Sequence, residues 1–359
     1  MSVQVSYKKQ FVIFLLLTIL LFSVVEGIAR IIETSDLPCG FIDSPVFSDM
    51  DYSTKRSICL DATNIIYDET DVRKISPNQH FSTININSHG FRGVENTVEK
   101  SDDTYRIILL GGSTAFGIGS SSDDTTISGY LQKKLTSNNL HNIEILNAGV
   151  GGTISFEEKY FAENYLMEFQ PDLFIVYDGG NDVRYRITEP ETRINEKNNY
   201  SFKFGDYPFY RTPFVIDKIV TKFSNANDPI KNILISEDVK NKIVDTYIEN
   251  WQNFCNSNEI DTVVFLQPMV GTGFKQLTES ELEFMMHDDV SMELAMLEDI
   301  SKNFDKLKNS CTDAKDIRDV FDHIESTIYY DQIHVSDEGN KIIAEKIYEE
   351  IYPIIKKNN

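Results

Sequence analysis

Three polar residues in the chain have the types and local spacing needed for nucleophilic catalysis. Ser113 follows two glycines directly after the apolar run at 106–110, and a serine at such a strand-to-helix turn can present its hydroxyl to a crevice. Asp331 and His334 are three residues apart, so that the carboxylate can orient the imidazole. An imidazole held in this way can act as general base toward a serine hydroxyl. We therefore predict Ser113 as a nucleophile, His334 as its base and Asp331 as the orienting acid.

Two further segments could stabilise the negative charge that develops during attack on a carbonyl. Gly149 follows the apolar run at 143–147, where a backbone without a side chain can bring its N–H close to a ligand. Asn181 follows Gly179 and Gly180 after the run at 173–177, and its amide is a donor. With the N–H of Ser113, these groups predict an oxyanion hole.

The remaining titratable candidates are weaker. Asp178 and Asp182 flank the segment that carries Asn181, and we expect them to shape its turn rather than to titrate in catalysis. His89 lies in an extended segment, where a structural or surface role is expected. His80, His141, His287 and His323 stand in no recognisable ligand spacing, so no metal site is predicted.

The segments that carry these candidate residues follow short apolar runs, which are typical of strands buried in a parallel sheet. Ligands of such sheets bind beyond the carboxyl ends of the strands, which is where these segments stand. The predicted strands are 106–110, 143–147, 173–177, 262–267 and 317–321.

Helical patterns alternate with these runs. Ser155 and Glu158 have the spacing of a capping box that opens a helix to about Phe169. Apolar residues at helical spacing predict further helices within 239–255, 290–307 and 336–354. Alternating strands and helices predict an α/β fold with a doubly wound, mostly parallel sheet sandwiched by helices, a three-layer arrangement of the flavodoxin-like kind.

Together these segments resemble those of the SGNH (GDSL-like) hydrolase family, which is named after one Ser, Gly, Asn and His. They span residues 111–334 in the family's order. The resemblance implies Ser113 as nucleophile with His334 and Asp331 as its base and acid, and an oxyanion hole from Ser113, Gly149 and Asn181. Gly112 departs from the commonest pattern, which has Asp at this position, but the position carries no catalytic role.

The first residues of the chain form a separate segment. Residues 11–25 contain no charge, and Lys8 and Lys9 precede them. This length lies between a signal-peptide core and a spanning helix, and the lysines are expected to stay in the cytoplasm. We therefore predict a membrane anchor or signal peptide at 1–32, a pre-domain arm at 33–104, and an SGNH-like domain at 105–356. An aromatic insertion at about 183–236 is expected to border the mouth of the site.

Composition narrows the function class. The 359 residues include 34 Lys and Arg against 56 Asp and Glu, a net charge of −22, which disfavours nucleic acid as a partner. Four cysteines are too few for a disulfide scaffold, but they could still form disulfide bonds if the domain is exported to an oxidising compartment. Cys255 and Cys311 precede the predicted strands 262–267 and 317–321. If these strands are neighbours, both sulfurs lie at the same edge of the sheet, so we predict a disulfide bond between them. The remaining pair, Cys39 and Cys59, would then bond to each other.

The chemistry predicts an exported or membrane-anchored serine esterase that removes an acyl group, such as acetyl, from a small-molecule, lipid or glycan substrate. No cofactor is required. Two alternatives remain open at this point. An acyltransferase would pass an O-acetyl group to an envelope glycan, as some members of the resembled family do, and a carbohydrate-binding module would retain the fold without turnover.

Overall fold

The computed structural model describes residues 6–35, 39–138, 140, 142–185, 212, 236–287 and 289–358. The chain divides into two compact units, which are described separately. One comprises Met1–Cys39 with Asn195–Ile233, and the other comprises Gly40–Ile194 with Leu234–Asn359.

The smaller unit contains helix α1, Tyr7–Ser35. Its stretch Tyr7–Ile31 is 25 residues long and near the N-terminus, and no residue of its most apolar 18-residue window is buried. Among the described residues, it is the one helix that is long and apolar enough to cross a membrane. Glu26 interrupts the apolar surface, where its carboxylate accepts hydrogen bonds from the backbone N–H and hydroxyl of Thr212 at 3.1 and 3.0 Å.

In the larger unit, the segment before residue 105 folds against the sheet. Arg92 forms an isolated bridge with Asn147 at the end of a sheet strand, so the expected extended segment does enter the main domain. The buried Arg92 guanidinium also bonds to the carboxylate of Asp123 and the carbonyl of Gly117. The elements of this segment are helix α2 (Tyr52–Thr63) and the short strands β1 (Tyr67–Asp68), β2 (Lys74–Ile75), β3 (Gln79–His80) and β4 (Asn85–Ile86).

The centre of the larger unit is a five-stranded, fully parallel sheet. Its strands lie in the order β6-β5-β7-β8-β9, a doubly wound arrangement, so the predicted three-layer α/β fold is confirmed. The first of these strands in sequence, β5, lies between β6 and β7, and the strand order reverses there, which creates a crevice at the carboxyl ends. The strands are β5 (Tyr105–Gly111), β6 (Ile143–Asn147), β7 (Leu173–Asp178), β8 (Asp261–Leu266) and β9 (Asp313–Asp316).

Helices cover both faces of the sheet. Along β5, Ile107 and Leu109 face one apolar core, whereas Ile108 and Leu110 face the other, as the two-residue period of a strand requires. Besides α1 and α2, the α-helices are α3 (Ser113–Phe116), α4 (Ile127–Ser137), α5 (Ser155–Phe161), α6 (Gly180–Tyr185), α7 (Glu237–Ser257), α8 (Glu279–Phe284), α9 (Val290–Asn303) and α10 (Asp337–Asn358). Shorter 3₁₀ turns lie at Gly40–Asp43, Pro45–Phe47, Asp123–Thr125, Met167–Phe169 and Phe304–Asn309, with one π turn at Ala162–Leu166.

Two sequence predictions about these elements were wrong. The fifth strand is not 317–321 but Asp313–Asp316, whose polar residues suit a strand at the sheet edge and leave no apolar run to detect. Ile317 and Phe321 are buried in the core from the following turns. No capping box joins Ser155 and Glu158: α5 begins one residue earlier, where Glu157 accepts a hydrogen bond from the backbone N–H of the N-cap Ile154 at 3.3 Å, and Glu158 is buried.

The predicted Cys255–Cys311 disulfide is confirmed. The bond joins the C-terminal part of α7 to the turn before β9, and β8 and β9 are neighbouring strands as expected. Cys39 and Cys59, the remaining cysteines of the chain, are both disulfide-bonded as well.

Candidate active site

The structure brings Ser113, His334 and Asp331 into one hydrogen-bonded chain. Ser113 is the first residue of α3, immediately after β5, and its Oγ lies 2.7 Å from His334 Nε2. His334 Nδ1 lies 2.7 Å from Asp331 Oδ2. The serine is 218 residues from the acid in sequence, so only the fold brings them together. The arrangement permits proton transfer from the serine hydroxyl to an imidazole whose other nitrogen is held by a carboxylate.

Asp331 is held in its charged form. Burial would raise the pKa of this carboxyl, but His334 and hydrogen bonds to Asp331 outweigh burial and lower the pKa to about 2. The backbone N–H groups of Ile333 and His334 each donate to Oδ1 at 2.8 Å. Because Oδ1 is occupied by the backbone, Oδ2 remains directed at the imidazole.

A buried ion pair fixes the loop that carries Asp331 and His334. Glu281 of α8 accepts hydrogen bonds from the backbone N–H groups of Ile328 and Tyr329 at 2.9 and 3.1 Å. Lys275 Nζ lies 3.1 Å from Glu281 and 2.9 Å from the carbonyl of Ser326. The Lys275 and Glu281 side chains are almost fully buried, and their charges neutralise each other. The loop before Asp331 is therefore anchored to the interior by an ion pair.

The His334 ring is also supported by an aromatic neighbour that sequence reasoning missed. The Tyr330 ring stacks on it with centroids 5.7 Å apart and planes within 6°. Phe41 and Phe47, from the segment before residue 105, pack on Tyr330 at 5.0 and 5.2 Å. The pre-domain arm therefore contributes to the packing that orients the imidazole, a long-range effect with no local sequence signal.

Asn181 lies beside the turn that carries Ser113. It stands at the start of α6, and its Nδ2 donates to the carbonyl of Thr153 at 2.8 Å. A Cβ at Gly112 would lie only 2.5 Å from Asn181 Nδ2. The glycine that departs from the resembled family's commonest pattern thus makes room for the amide in this chain.

Gly149 is placed differently from the prediction. Its backbone N–H donates to Asn147 Oδ1 at 3.1 Å, inside the protein, and a Cβ at Gly149 would collide with the backbone of Phe116 at 2.3 Å. Gly149 therefore permits close packing against α3 rather than offering a donor to the crevice. Gly151, in the same loop, adjoins Ser113, since a Cβ there would lie 3.9 Å from Ser113 Cβ.

Tyr67 reaches the same place from strand β1. Its hydroxyl would lie 2.9 Å from a Cβ at Gly151, so it is close to Ser113. Burial raises the pKa of the Tyr67 phenol, and the guanidinium of Arg73 lies 4.1 Å from its ring centroid. From the sequence alone, residues 33–104 are predicted only as a pre-domain arm. A single tyrosine in a two-residue strand has no sequence pattern that would predict its position beside Ser113.

A groove of about 510 Å³ opens beside the acid–base loop. Its wall includes turn residues 40–45 before the sheet and the loop residues Asp331 and Gln332. Several side chains that line the groove are aromatic or charged, among them Phe41, Phe284, His287, Arg184 and Glu283.

The expectations for the other candidates have mixed outcomes. His89 packs edge-on against Phe169 at 5.1 Å, a structural position as expected. Among the described residues, no cluster of His, Cys, Asp or Glu has the arrangement of a metal site. The prediction that the insertion at about 183–236 borders the site falls largely outside the described residues. Of its described members, Arg184 lines the groove and Thr212 bonds to Glu26.

Comparison with known proteins gives structural likeness only. No protein-family model matches the sequence, and no curated protein does. Solved structures similar to this chain include the acetyl xylan esterase AlAXEase, with 15% identity over 68% of this chain and 99% of the other and a TM-score of 0.40. The acetylxylan esterase Axe2 from Geobacillus stearothermophilus has 14% identity over 70% and 95% of the two chains and a TM-score of 0.41. A two-domain esterase active on acetylated mannans has 13% identity, coverage of 71% and 50%, and a TM-score of 0.40.

Proposed function

We propose that this protein is a serine esterase of the SGNH type that hydrolyses short O-acyl esters through an acyl-serine intermediate. The observation that carries the proposal is the continuous hydrogen-bonded chain from Ser113 through His334 to Asp331. Asn181 stands beside the same serine, where an amide donor would serve a developing oxyanion.

In the first half of the reaction, His334 Nε2 takes the proton of the Ser113 hydroxyl as Oγ attacks the carbonyl carbon of the ester. The negative charge moves to the carbonyl oxygen, which accepts hydrogen bonds from the Ser113 N–H and the Asn181 amide. Collapse of the tetrahedral intermediate breaks the bond to the alcohol oxygen. That oxygen takes the proton from His334 and leaves the acyl-serine.

In the second half, a water molecule replaces the alcohol. His334 removes one of its protons while the water oxygen attacks the acyl-serine carbonyl. The second tetrahedral intermediate then releases the carboxylic acid, and the proton on His334 returns to Ser113 Oγ. Asp331 remains ionised throughout and stabilises the imidazolium that forms in each half.

The site's surroundings support a small acyl group and a polar alcohol. Tyr67 approaches the nucleophile closely and would limit the length of the acyl chain. The groove beside Asp331 offers aromatic surfaces such as Phe284 together with charged groups such as Arg184, a combination suited to a polyhydroxylated alcohol such as a sugar.

We also propose that the catalytic unit acts outside the cytoplasm. The apolar helix at Tyr7–Ile31 begins beside Lys8 and Lys9, a flank that favours a cytoplasmic N-terminus. A disulfide between Cys255 and Cys311 is stable in an oxidising compartment, which supports the same orientation.

A serine-reactive phosphonate tests the mechanism directly. We expect it to label Ser113 in the full-length protein, with label lost in Ser113→Ala, and we expect turnover of acetyl esters in preference to long-chain esters. Wild-type-like hydrolysis by Ser113→Ala would contradict the mechanism. Acyl transfer to an added sugar in place of hydrolysis would identify the acyltransferase alternative.

A further inference from the structure

Three carboxyl side chains lie together in the interior behind Asn181. Glu158 is on α5, Asp178 ends β7, and Asp182 follows Asn181 on α6, and all three are buried. Asp178 accepts hydrogen bonds from the Tyr247 hydroxyl at 2.7 Å and the Trp251 Nε1–H at 3.1 Å.

The other two carboxyls bond to the start of α5. Asp182 accepts from the Ser155 hydroxyl at 2.6 Å and from its backbone N–H at 3.2 Å. Glu158 Oε1 lies 2.9 Å from the hydroxyl of Thr153. Throughout the described ranges, no Lys, Arg or His side chain hydrogen-bonds or ion-pairs with any of the three carboxyls.

The cluster must therefore hold protons. Glu158 Oε2 is buried without a hydrogen-bond partner, which suits a neutral carboxyl better than a charged one. The Asp178 carboxyl raises the pKa of Glu158, whereas Glu158 lowers the pKa of Asp178, so a proton held between them belongs to Glu158. Two carboxylates cannot bond to each other unless one carries a proton, and three unpaired charges in a buried site would carry a large desolvation cost.

The electrostatic surroundings agree with this geometry. Burial, reinforced by Asp178, raises the pKa of Glu158 well above its usual range and that of Asp182 to about 8, and burial raises the pKa of Asp178 to about 6. The titratable group facing the cluster from α7 is Tyr247, whose pKa is raised by burial and by Asp178. Helix α9, which packs on α6, carries one further buried carboxyl, Glu293.

One side of the cluster is connected to the proposed oxyanion donor. The Thr153 hydroxyl contacts Glu158, and the carbonyl of the same Thr153 accepts the hydrogen bond from Asn181 Nδ2. Asp182 is the residue next to Asn181, and it ties α6 to the first residue of α5. The position of the Asn181 amide thus depends on both ends of the carboxyl cluster.

We propose that Glu158 is a positioning residue for catalysis: in its protonated form it donates to Asp178, holds Thr153 through its other oxygen, and so fixes the Asn181 amide for the oxyanion. The inference rests on the proposed esterase function, because the amide's orientation matters only if an oxyanion forms. Loss of the shared proton at alkaline pH would repel Glu158 from Asp178 and release Thr153.

The test compares Glu158→Gln with Glu158→Ala in the full-length protein in detergent. A glutamine keeps an oxygen for Thr153 and supplies an N–H for Asp178, so it reproduces the protonated glutamate. We expect kcat of the wild type to decline at alkaline pH, and we expect Glu158→Gln to keep kcat within about threefold and to lack this decline. We expect Glu158→Ala to lower kcat about 10- to 100-fold with little change in KM, since roughly this loss follows a misplaced catalytic group.

Thr153→Val, which removes only the hydroxyl, should repeat the effect of Glu158→Ala on kcat if Glu158→Ala fails to fold. Glu163→Ala, which removes a carboxylate of a surface pair with Lys159 beyond α5, is the matched control.

A second measurement does not depend on activity. The side-chain amide signal of Asn181, in protein labelled with ¹⁵N-asparagine and assigned by its loss in Asn181→Asp, should move in Glu158→Ala and stay in place in Glu158→Gln. If the wild type is inactive but the signal responds in this way, the esterase proposal fails and the positioning of Asn181 by Glu158 stands. If Glu158→Ala keeps both wild-type kcat and an unmoved signal, or if Glu158→Gln is as impaired as Glu158→Ala, the proposal is overturned.

Discussion

The two sides of Ser113 are stabilised in opposite electrostatic ways. On the acid–base side, each carboxylate has a partner that stabilises its charge: Asp331 is hydrogen-bonded to the His334 imidazole, and Glu281 is paired with Lys275. On the oxyanion side, the three carboxyls behind Asn181 have no cationic partner among the described residues, and burial raises the pKa of each.

This difference teaches that burial has opposite effects on carboxyl groups according to their partners. The Asp331 carboxyl is held ionised because donors and an imidazole surround it, and its pKa is lowered to about 2. The Asp182 carboxyl has only Ser155 to bond to and a second carboxyl nearby, and its pKa is raised to about 8. One side of the site should therefore be sensitive to acid and the other to alkali.

The largest expected effect is on the acid–base side. Ser113→Ala should abolish turnover and phosphonate labelling, and His334→Ala should lower kcat by more than about 10⁴-fold, because a serine hydroxyl is a poor nucleophile without a base. Both are measured as kcat for a short acyl ester, with circular dichroism to check folding. His323→Ala removes an exposed imidazole and serves as the control. Substantial turnover by His334→Ala would show that this side does not provide the base.

A smaller loss is expected on the oxyanion side. Asn181→Ala removes one donor and should lower kcat by about 10²–10³-fold while KM changes little, because the oxyanion exists only after attack. Steady-state kinetics separate the two constants, and Asn164→Ala, at an exposed position, is the control. A change confined to KM would indicate that Asn181 contacts bound substrate rather than the oxyanion.

The same side can be perturbed without removing the amide. Gly112→Ala places a Cβ within 2.5 Å of Asn181 Nδ2, and this flexible side chain can move away at little cost to folding. We expect kcat to fall by up to about 10²-fold, since small misplacements of catalytic groups have effects of this size. The free energy of unfolding should change by less than about 1 kcal/mol. Gly27→Ala, where nothing lies within 4 Å of the added Cβ, is the control. Unchanged kcat would mean that the amide's present position is not needed.

The smallest effects are on stability, and they should have opposite pH dependence on the two sides. The pKa of Asp182 is raised to about 8 by folding, so its contribution is full below the unfolded value near 4 and is lost as pH rises toward 8. The pKa of Asp331 is lowered to about 2, so its contribution is present above pH 4 and is lost as pH falls toward 2. Chemical denaturation at several pH values should show a smaller loss of stability from about pH 4 to pH 8 for Asp182→Asn, and a smaller loss from about pH 4 to pH 2 for Asp331→Asn, than for wild type. Parallel curves for wild type and Asp182→Asn would contradict a protonated Asp182.

Much of the fold was predictable because its strands are buried on both faces. β5, β6, β7 and β8 appear in the sequence as short apolar runs and lie within one residue of their predicted bounds. β9 was missed because a polar edge strand has no such run, and its identity depends on pairing with β8. The Cys255–Cys311 bond was predictable because parallel strands begin at a common edge.

The site was predictable only in part. Each of Ser113, Asn181 and His334 follows an element whose end is legible in the sequence, and the structure brings all three to one crevice edge. The backbone N–H of Gly149 was predicted to be an oxyanion donor, but it donates to the side chain of Asn147 instead. No local sequence pattern reveals this hydrogen bond. Tyr67 was missed because its segment lies far from the nucleophile in sequence.

The sequence by itself determined the chemical identities of the site residues and the strands that precede them, since both are local properties of composition and spacing. The tertiary structure alone decided what surrounds them. Glu158 has the sequence context of a solvated capping residue, yet packing of α5 against α7 buries it beside Asp178. Tyr330 reads as an ordinary loop aromatic, yet Phe41 packs it against His334. Burial and partner choice arise from contacts between distant segments, and they determine whether a carboxyl is charged and whether an imidazole is held in place.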